Sequence, residues 1–448
     1  MKPAWWPGLG LLSVGLVVAS GCERSPALAP RTTASARERT NRVEQPAELV
    51  AEPTGRTVVV WISVDGMRGD YVDQAQTPFF HRLMKEGAFT RRLVPVFPSL
   101  TFPSHVSEVT GASVNRHGII GNAIFDRKND RRWSHPNVAS EILCEPIWTT
   151  VKRGGPRVLV HDWPVSQQQV GEFKADYFDR TFDTGLSDLE RLNRLIDTWS
   201  NDKQAAPLQL IMGYVIGPDK AGHKYGPNAP PTKAAVEETD HLLGDFFQRV
   251  QAVFAKKMSR SDTLYFLMTT DHGMEDVKVM LNLRLMCGSA WSDEMRLVVS
   301  SSVGNIFLDR LGPPPVRQQI VQKLLEVLET YGFAHAYARE DLPEPWEYGH
   351  LWRTGDVVIS LDPGFMFSEK EGPAMRVIEP AEGPLGMHGY PPADFPHMWG
   401  FMAIWRSGKP LGGIDMGELD SRRLHATVAK WLGVKPAETA VQEAIALP

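Results

Sequence analysis

Acidic and histidine residues recur where predicted strands of this 448-residue chain end. Carboxylate oxygens and imidazole nitrogens without thiolates are the donors of a catalytic zinc site that keeps an open position. Each signal alone is weak, because a pair such as Asp-x-x-x-His more often lies on a helix surface. Together they predict one metal site. The candidate ligands are Asp65, Asp219, His223, Asp271, His272 and His388.

Thr101 is the candidate nucleophile. It lies two residues before Pro103, at the start of an amphipathic segment. Proline favours the first turn of a helix, so Thr101 is expected at or just before a helix N-terminus. Free N–H groups there suit a phosphate, but a threonine hydroxyl needs a base or a metal ion to attack one. The competing interpretation is that Thr101 only caps a helix.

The elements that must position these residues alternate between apolar strands and helices, which predicts an α/β fold with a doubly wound, mostly parallel sheet flanked by helices. The carboxyl ends of such strands share one edge of the sheet, where ligands bind. The less regular region 275–381 is predicted to be a cap or insertion. The main strands are expected at 57–65, 157–160, 208–216, 263–270, 296–308 and 355–361, and the main helices at 77–87, 145–151, 187–200, 231–254, 315–331 and 419–432.

The N-terminus is typical of an exported protein. Lys2 precedes a short apolar run, GLGLLSVGLVVAS, which is too short for a confident membrane span and typical of a signal peptide. Small residues before Cys22 resemble a bacterial lipobox, so residues 1–21 are predicted to be a lipoprotein-type signal peptide and Cys22 the lipidated residue. The alternative is an ordinary cleaved signal peptide. The expected location is the periplasmic side of a bacterial cell envelope, anchored to a membrane by lipid.

The remaining boundaries follow from composition. Residues 22–55 are rich in Ala, Arg, Glu, Thr and Pro and are predicted to be a disordered tether. The catalytic domain is expected at 56–435, followed by a tail at 436–448.

A net charge of −5 gives no basic surface, so sequence-specific nucleic-acid binding is not expected. Cys144 and Cys287 could form a disulfide or remain two buried thiols.

Five motifs occur in the order of one family. They are SVDG at 63–66, LTFPSH at 100–105, GPDKAGHKYGP at 217–227, TTDHGM at 269–274 and MHGY at 387–390. In these motifs the chain resembles the nucleotide pyrophosphatase/phosphodiesterase family (type I phosphodiesterase) of the alkaline phosphatase superfamily. The resemblance runs from Val58 to the C-terminal helix and implies an alkaline phosphatase-like fold.

The resemblance also implies two zinc ions and a nucleophile. One ion would be held by Asp219, His223 and His388, and the other by Asp65, Asp271 and His272. Thr101 would bind the second ion as an alkoxide and attack phosphorus. Asn122 and the backbone N–H of Phe102 would contact a phosphate oxygen. Two such ions can stabilise the attacking and leaving oxygens of an in-line displacement.

The resemblance favours a small-molecule phosphodiester substrate, of nucleotide or lipid head-group type. Phe102 and Phe182 would stack a nucleobase, although both could instead be core residues. The segment RVLVHDWPVS lacks the Lys-Asp-Arg group of threonine phosphatases that grips a monoester dianion. Sulfatases need a modifiable Cys or Ser in a Cys/Ser-x-Pro-x-Arg pattern. Thr101 and His105 occupy those places here, so a sulfatase is not expected. Two alternatives remain open: a zinc-dependent phosphomonoesterase and a non-catalytic, lipid-anchored metal-binding protein.

Overall fold

The computed structural model describes residues 55–135, 138–369, 372–381 and 383–447. The predicted signal peptide, Cys22 and nearly all of the predicted tether lie outside these residues. The strands of the described part are β1 (Thr57–Val64), β2 (Ala88–Val94), β3 (Ala123–Asp126), β4 (Arg131–Ser134), β5 (Arg157–Val160), β6 (Leu208–Val215), β7 (Thr263–Thr269), β8 (Glu275–Leu281), β9 (Arg296–Ser300), β10 (Val303–Phe307), β11 (Ala334–Ala338), β12 (Val357–Leu361), β13 (Gly364–Phe367), β14 (Met375–Val377), β15 (Gly386–Met387), β16 (Gly400–Arg406), β17 (Ile414–Asp415) and β18 (Glu418–Asp420).

The helices alternate with these strands, as the sequence pattern predicts. They are α1 (Tyr71–Gln74), α2 (Pro78–Glu86), α3 (Thr101–Thr110), α4 (Val114–His117), α5 (Ile147–Arg153), α6 (Asp188–Asn201), α7 (Gly217–Tyr225), α8 (Pro230–Lys257), α9 (Leu283–Met286), α10 (Pro314–Glu329) and α11 (Arg423–Trp431). Among the described residues, no helix combines the length and apolar composition that a membrane crossing requires.

The central sheet has eight strands in the order β17-β2-β16-β7-β1-β6-β5, with β18 also paired to β2. β1 lies at its centre and pairs in parallel with β6 and β7, and β5 pairs in parallel with β6. β16 runs antiparallel to both of its neighbours, β7 and β2. The sheet is therefore mostly parallel, which confirms the predicted fold class.

Alternate residues of β1 point into two separate cores. Val58, Val60 and Ile62 pack with α2, α6 and α8 on one face. Val59 and Trp61 pack with α3, α5 and α11 on the other. Burial on both faces explains why β1 is an uninterrupted apolar run rather than an alternating one.

The region between β7 and β16 contains two smaller sheets. β11, β12, β10 and β9 form one antiparallel sheet, and α10 packs against its core. β8 pairs with β13, β14 and β15. β15 directly precedes His388, so this region carries one of the candidate ligands to the main sheet's edge.

Four strands of the main sheet, β2, β16, β17 and β18, have no counterpart in the sequence prediction. β16 pairs with β2, which lies about 300 residues earlier in the chain, so no local pattern shows this pairing. The predicted helix 419–432 is shorter than expected, because residues 418–420 form β18 instead. Cys144 and Cys287 are both buried free thiols.

Candidate active site

Asp65 and Asp271 come together because their strands are neighbours in the parallel sheet. Asp65 follows β1 directly, and Asp271 lies two residues after β7. The Gly66 N–H donates to Asp271 Oδ1 at 3.1 Å. Gly66 has a φ of +63°, and a Cβ there would lie 2.9 Å from Asp219 Cα. Glycine is required at this position, because it allows Asp65, Asp219 and Asp271 to meet.

Asp219 and His223 lie one turn apart on α7, four residues from each other. The sequence analysis expects Asp219 just after the strand at 208–216 and predicts no helix there, but Pro218 in the first turn starts a helix at Gly217. Asp219 Oδ1 lies 3.2 Å from His223 Nε2. The Asp219 N–H donates to the Asp65 carbonyl oxygen at 3.2 Å, which fixes the start of α7 against the end of β1.

The three candidate histidine ligands share one hydrogen-bond pattern. The Nδ1 atom of each lies within hydrogen-bond distance of a backbone carbonyl: His223 with Gly386 at 2.8 Å, His272 with Gly273 at 2.9 Å and His388 with Ser99 at 3.0 Å. A carbonyl only accepts, so each Nδ1 carries the proton and a neutral ring keeps the Nε2 lone pair free. Metal-binding histidines are oriented in this way.

Two overlapping groups of side chains could hold a metal ion. One contains Asp219, His223 and His388, and the other contains Asp65, Asp219 and His272; within each, the ligand atoms lie within 4.8 Å of one another. Asp271 Oδ2 adds a further oxygen 3.1 Å from His272 Nε2. Asp219 thus lies between the two groups, whereas the resemblance assigned it to the first ion alone.

The carboxylates of this cluster have oxygens without hydrogen-bond donors. Asp65 Oδ1, Asp219 Oδ1 and Asp271 Oδ2 are buried and receive no hydrogen bond in the described structure. Leaving such atoms unpaired is costly, and a cation would satisfy all three. The residues present therefore fit a metal centre, and the nitrogen and oxygen donor set suits zinc.

Electrostatics give the same picture. Burial and the nearby carboxylates Asp219 and Asp271 raise the pKa of Asp65 well above its ordinary value. Burial alone would lower the pKa of His223, but Asp219 outweighs it and raises this pKa to about 9. The site therefore concentrates negative charge that a divalent cation would offset.

Thr101 is the first residue of α3, as the sequence predicts. Its Oγ1 lies 3.3 Å from His272 Nε2. His105 fixes the backbone beneath it: Nδ1 lies 2.8 Å from the Thr101 carbonyl oxygen, and Nε2 lies 2.9 Å from Ser63 Oγ. The Phe102 N–H lies 3.3 Å from Asn122 Oδ1. The structure therefore brings the candidate nucleophile, phosphate contacts and ligands together.

A cavity of about 520 Å³ opens over this cluster. Phe102 and Phe182, the two aromatic residues singled out by the sequence analysis, both line it. Behind Phe182, the Arg191 guanidinium lies 4.5 Å from the ring centroid. The cavity therefore has the candidate ligand cluster on one side and aromatic side chains on its wall.

The sequence analysis missed several residues of this cavity: His135, Gln167, Tyr214 and Lys220. Tyr214 donates a hydrogen bond to Asp65 Oδ2 from within β6. A tyrosine in a buried strand next to the predicted ligand loop was the available signal, because a buried hydroxyl requires a partner. His135 contacts the Phe102 ring edge-on at 5.7 Å, and no local pattern marks it.

Comparison with known proteins defines the class. Residues 59–391 match the family model described as Type I phosphodiesterase / nucleotide pyrophosphatase. This match covers more than half of the chain, so the chain belongs to that family of phosphoester hydrolases. The family prediction made from the five motifs is confirmed.

Among individual relatives, the chain is 29% identical over 346 residues to human ectonucleotide pyrophosphatase/phosphodiesterase family member 5, covering 74% of this chain and 65% of that protein. It is 28% identical over 349 residues to human bis(5'-adenosyl)-triphosphatase ENPP4, covering 76% and 71%. The chain thus spans about two thirds of the length of the curated relatives it matches.

A solved structure shows the same fold. Murine ectonucleotide pyrophosphatase/phosphodiesterase 5, in an inactive threonine-to-alanine form in complex with AMP, superposes with a TM-score of 0.72 at 23% identity. The match covers 87% of this chain and 97% of that one.

Proposed function

We propose that this chain is a nucleotide pyrophosphatase/phosphodiesterase that uses two zinc ions and a covalent phosphate ester on Thr101. One observation carries the proposal. Thr101 Oγ1, at the start of a helix, lies 3.3 Å from His272 Nε2 in a cluster whose carboxylate oxygens lack hydrogen-bond donors. That arrangement provides a nucleophile, an anion site and ligands for cations in one place.

The chain's own residues account for the first step. Thr101 Oγ attacks phosphorus, a new Oγ–P bond forms, and the bond from phosphorus to the leaving oxygen breaks. Asn122 and the Phe102 N–H lie where they can donate to a phosphate oxygen. Phosphoryl transfer depends mainly on this kind of positioning and charge stabilisation.

Water completes the reaction by attacking phosphorus and breaking the Oγ–P bond, which releases a nucleoside monophosphate and restores the Thr101 hydroxyl. Asp219, His223 and His388 would hold one zinc ion, and Asp65, Asp271 and His272 the other. When bound, zinc lowers the pKa of a coordinated hydroxyl or water and neutralises developing charge.

The substrate class follows from the cavity and the relatives. Phe102 and Phe182 offer aromatic faces, on which a nucleobase can stack. One relative is named as a bis(5'-adenosyl)-triphosphatase, and one solved neighbour is a complex with AMP. We therefore assign nucleotide diesters and anhydrides as substrates, ahead of lipid head-group diesters.

The test compares three esters on the zinc-loaded full chain: a nucleotide nitrophenyl ester, bis(nitrophenyl) phosphate and nitrophenyl phosphate. We expect kcat/KM to be highest for the nucleotide ester and lowest for the monoester, with all turnover abolished in Thr101→Ala. Thr110→Ala, at the other end of α3, is the control. A preference for the monoester would establish a phosphomonoesterase instead. Bound zinc without turnover would establish a non-catalytic metal-binding protein.

We further propose export and lipid anchoring at Cys22, supported by the apolar run and small residues that precede it. In a bacterial host that processes lipoproteins, the full chain should fractionate with membranes and incorporate labelled fatty acid. Cys22→Ser should abolish labelling and leave the Thr101-dependent activity intact. Equal labelling of both chains would disprove the assignment of Cys22.

A further inference from the structure

One cation on the cavity wall has no part in the mechanism above. Lys220 lies on α7, directly after the candidate ligand Asp219, and its exposed side chain lines the cavity. Within the described part of the chain, its ammonium group has no ion pair or side-chain hydrogen bond. A positive charge on the wall of this cavity is placed to contact an anionic substrate.

The position of Lys220 relative to the nucleophile is inferred from a row of three histidine rings. Thr101 Oγ1 is next to His272, whose ring stacks on His388 with centroids 3.5 Å apart. The His223 ring follows at 5.1 Å from His388. The three imidazoles therefore form a row that begins at Thr101 and ends at α7, which carries His223 and Lys220.

This order assigns the two sides of the reacting phosphorus. In an in-line displacement the leaving oxygen departs opposite the attacking oxygen. Attack from the Thr101 end of the row therefore directs the leaving group toward α7. Lys220 is then on the side of the leaving group, whereas Asn122 and Phe102 contact the phosphate that stays on Thr101.

A groove continues from the cavity on this side. It has a volume of about 360 Å³ and shares Ile216 and Lys220 with the cavity. Lys224 lines it farther along α7, and the carboxylates Asp188 and Glu238 line it from α6 and α8. Space beyond the reacting phosphorus suits an extended leaving group, and its phosphates are expected beside Lys220 rather than beside the two carboxylates, which would repel them.

We propose that Lys220 binds the phosphate groups of the leaving group, so that the chain favours anhydrides that release pyrophosphate or a nucleotide over esters that release a neutral alcohol or a phenol. This inference rests on the proposed function and deepens it. It assigns nucleoside triphosphates and dinucleoside polyphosphates as the preferred substrate class. Lys220 acts here on specificity, not on the chemistry at Thr101.

The experiment compares two substrates that share AMP and differ in leaving group: ATP, which releases pyrophosphate, and the nitrophenyl ester of AMP. Each is assayed with the zinc-loaded full chain and with Lys220→Met. Removing one charge-assisted contact should lower kcat/KM for ATP about tenfold. The value for the nitrophenyl ester should stay within about twofold.

Two further variants serve as controls for this comparison. Lys220→Arg should retain most of the preference for ATP, because it keeps the charge. Lys256→Met, exposed on α8 and lining neither the cavity nor the groove, is the control for loss of a surface charge. Competitive inhibition by pyrophosphate should weaken about tenfold in Lys220→Met alone, which measures binding independently of turnover.

The outcomes separate the inference from the proposed function. If Lys220→Met slows both substrates equally, or if Lys256→Met behaves like it, the inference is wrong while the phosphodiesterase stands. If the unaltered chain turns over neither substrate, both fail. Selective loss of ATP hydrolysis and of pyrophosphate inhibition in Lys220→Met establishes the leaving-group site.

Discussion

At the scale of single residues, Asn122 and the Phe102 N–H form a preorganised pair. The Phe102 N–H donates to Asn122 Oδ1 at 3.3 Å, and both residues line the cavity beside Thr101. This contact holds the Asn122 amide in place, and donors held in place can stabilise transition-state charge. Asn122 Nδ2 and the Phe102 N–H are therefore expected to bind the phosphate oxygen more strongly in the transition state than in the ground state.

Replacing Asn122 with Ala should accordingly lower kcat by about 10²-fold for every ester, since the lost donor acts on the reacting phosphate. Steady-state kinetics on nucleotide and simple diesters would measure this. Asn115→Ala is the matched control, because Asn115 accepts from Ser113 and does not line the cavity. An effect confined to nucleotide substrates would show that Asn122 contacts the nucleoside rather than the reacting phosphate.

The structure agrees with the expected local positions of the candidate residues where residue type and strand end coincide. Asp65, Asp271 and His272 were identifiable because apolar strands end at them, and Thr101 because Pro103 marks a helix start. Their detailed roles came from family resemblance. Tyr214 was not identifiable in this way, because its hydroxyl acts from within a strand and its partner is known only in three dimensions.

At the scale of elements, α6 supports one aromatic wall of the cavity through a buried charge. Arg191 is 2% exposed, and its Nη1 lies 2.6 Å from Asp162 Oδ1. The same guanidinium lies over the Phe182 ring at 4.5 Å. Asp162 begins the turn that brings Val165, at a φ of +62°, into the cavity wall. Buried pairs of this kind fix geometry more than they add stability.

Arg191→Lys would keep the charge opposite Asp162 but lose the planar contact with Phe182. We expect KM for the nucleotide nitrophenyl ester to rise about fivefold, while kcat/KM for bis(nitrophenyl) phosphate changes less than twofold. Arg194→Lys is the matched control, because Arg194 also pairs with Asp162, whereas it is the Arg191 guanidinium that lies over the Phe182 ring. Equal losses on both substrates would indicate a general structural role.

His425 links α11 to α3 and to the C-terminal segment. It is fully buried, its Nδ1 lies 2.7 Å from the Val109 carbonyl oxygen, and its Nε2 accepts from the Ala437 N–H at 3.0 Å. Burial lowers its pKa to about 4, although the Val109 carbonyl and Glu145 oppose this effect. Both ring nitrogens are used by the neutral ring, so protonation would break the bond to Ala437.

This link predicts acid sensitivity. The folded pKa of about 4 lies below the unfolded value of about 6.5, so the unfolded chain binds the proton first. The contribution of His425 to the free energy of unfolding is therefore fully present above pH 6.5. It decreases by about 3 kcal/mol as the pH falls to 4. In denaturant unfolding, the free energy of unfolding of His425→Gln should decrease less steeply over this pH range than that of His241→Gln. His241 is the control because its side chain is 77% exposed. Parallel curves would contradict the prediction.

Element prediction was reliable for β1, β6 and β7 and failed for β2 and β16, although these two strands are as long as β7. β1, β6 and β7 are buried on both faces, and their composition shows it. β2 and β16 gain their stability from pairing with each other across the chain, which no sequence window contains. The α7 helix was not predicted, because its glycines disfavour a helix although Pro218 favours a helix start.

At the scale of the whole molecule, the candidate ligands connect distant segments. They follow β1, lie on α7, follow β7 and follow β15. Ions bound there would link the central sheet to the smaller sheets between β7 and β16. Because a ligand that binds only the folded state stabilises it, metal loading should raise thermal stability.

Zinc should therefore raise the Tm of the chelator-treated protein by several degrees, with two ions bound per chain at saturation. His223→Ala should reduce bound zinc to about one ion and remove part of the increase. Metal analysis with calorimetry measures both. His397→Ala, an exposed histidine paired with Glu275, is the control. Unchanged stoichiometry in His223→Ala would remove this residue from the metal centre.

The central claim is that phosphorus becomes bonded to Thr101 during turnover. The most direct measurement is rapid quenching of the zinc-loaded chain with a nucleotide nitrophenyl ester in excess, followed by peptide mass spectrometry. We predict a nucleoside monophosphate attached to Thr101, and none in Thr101→Ala. Turnover with no covalent adduct and inversion at phosphorus, or an adduct on another residue, would contradict the account.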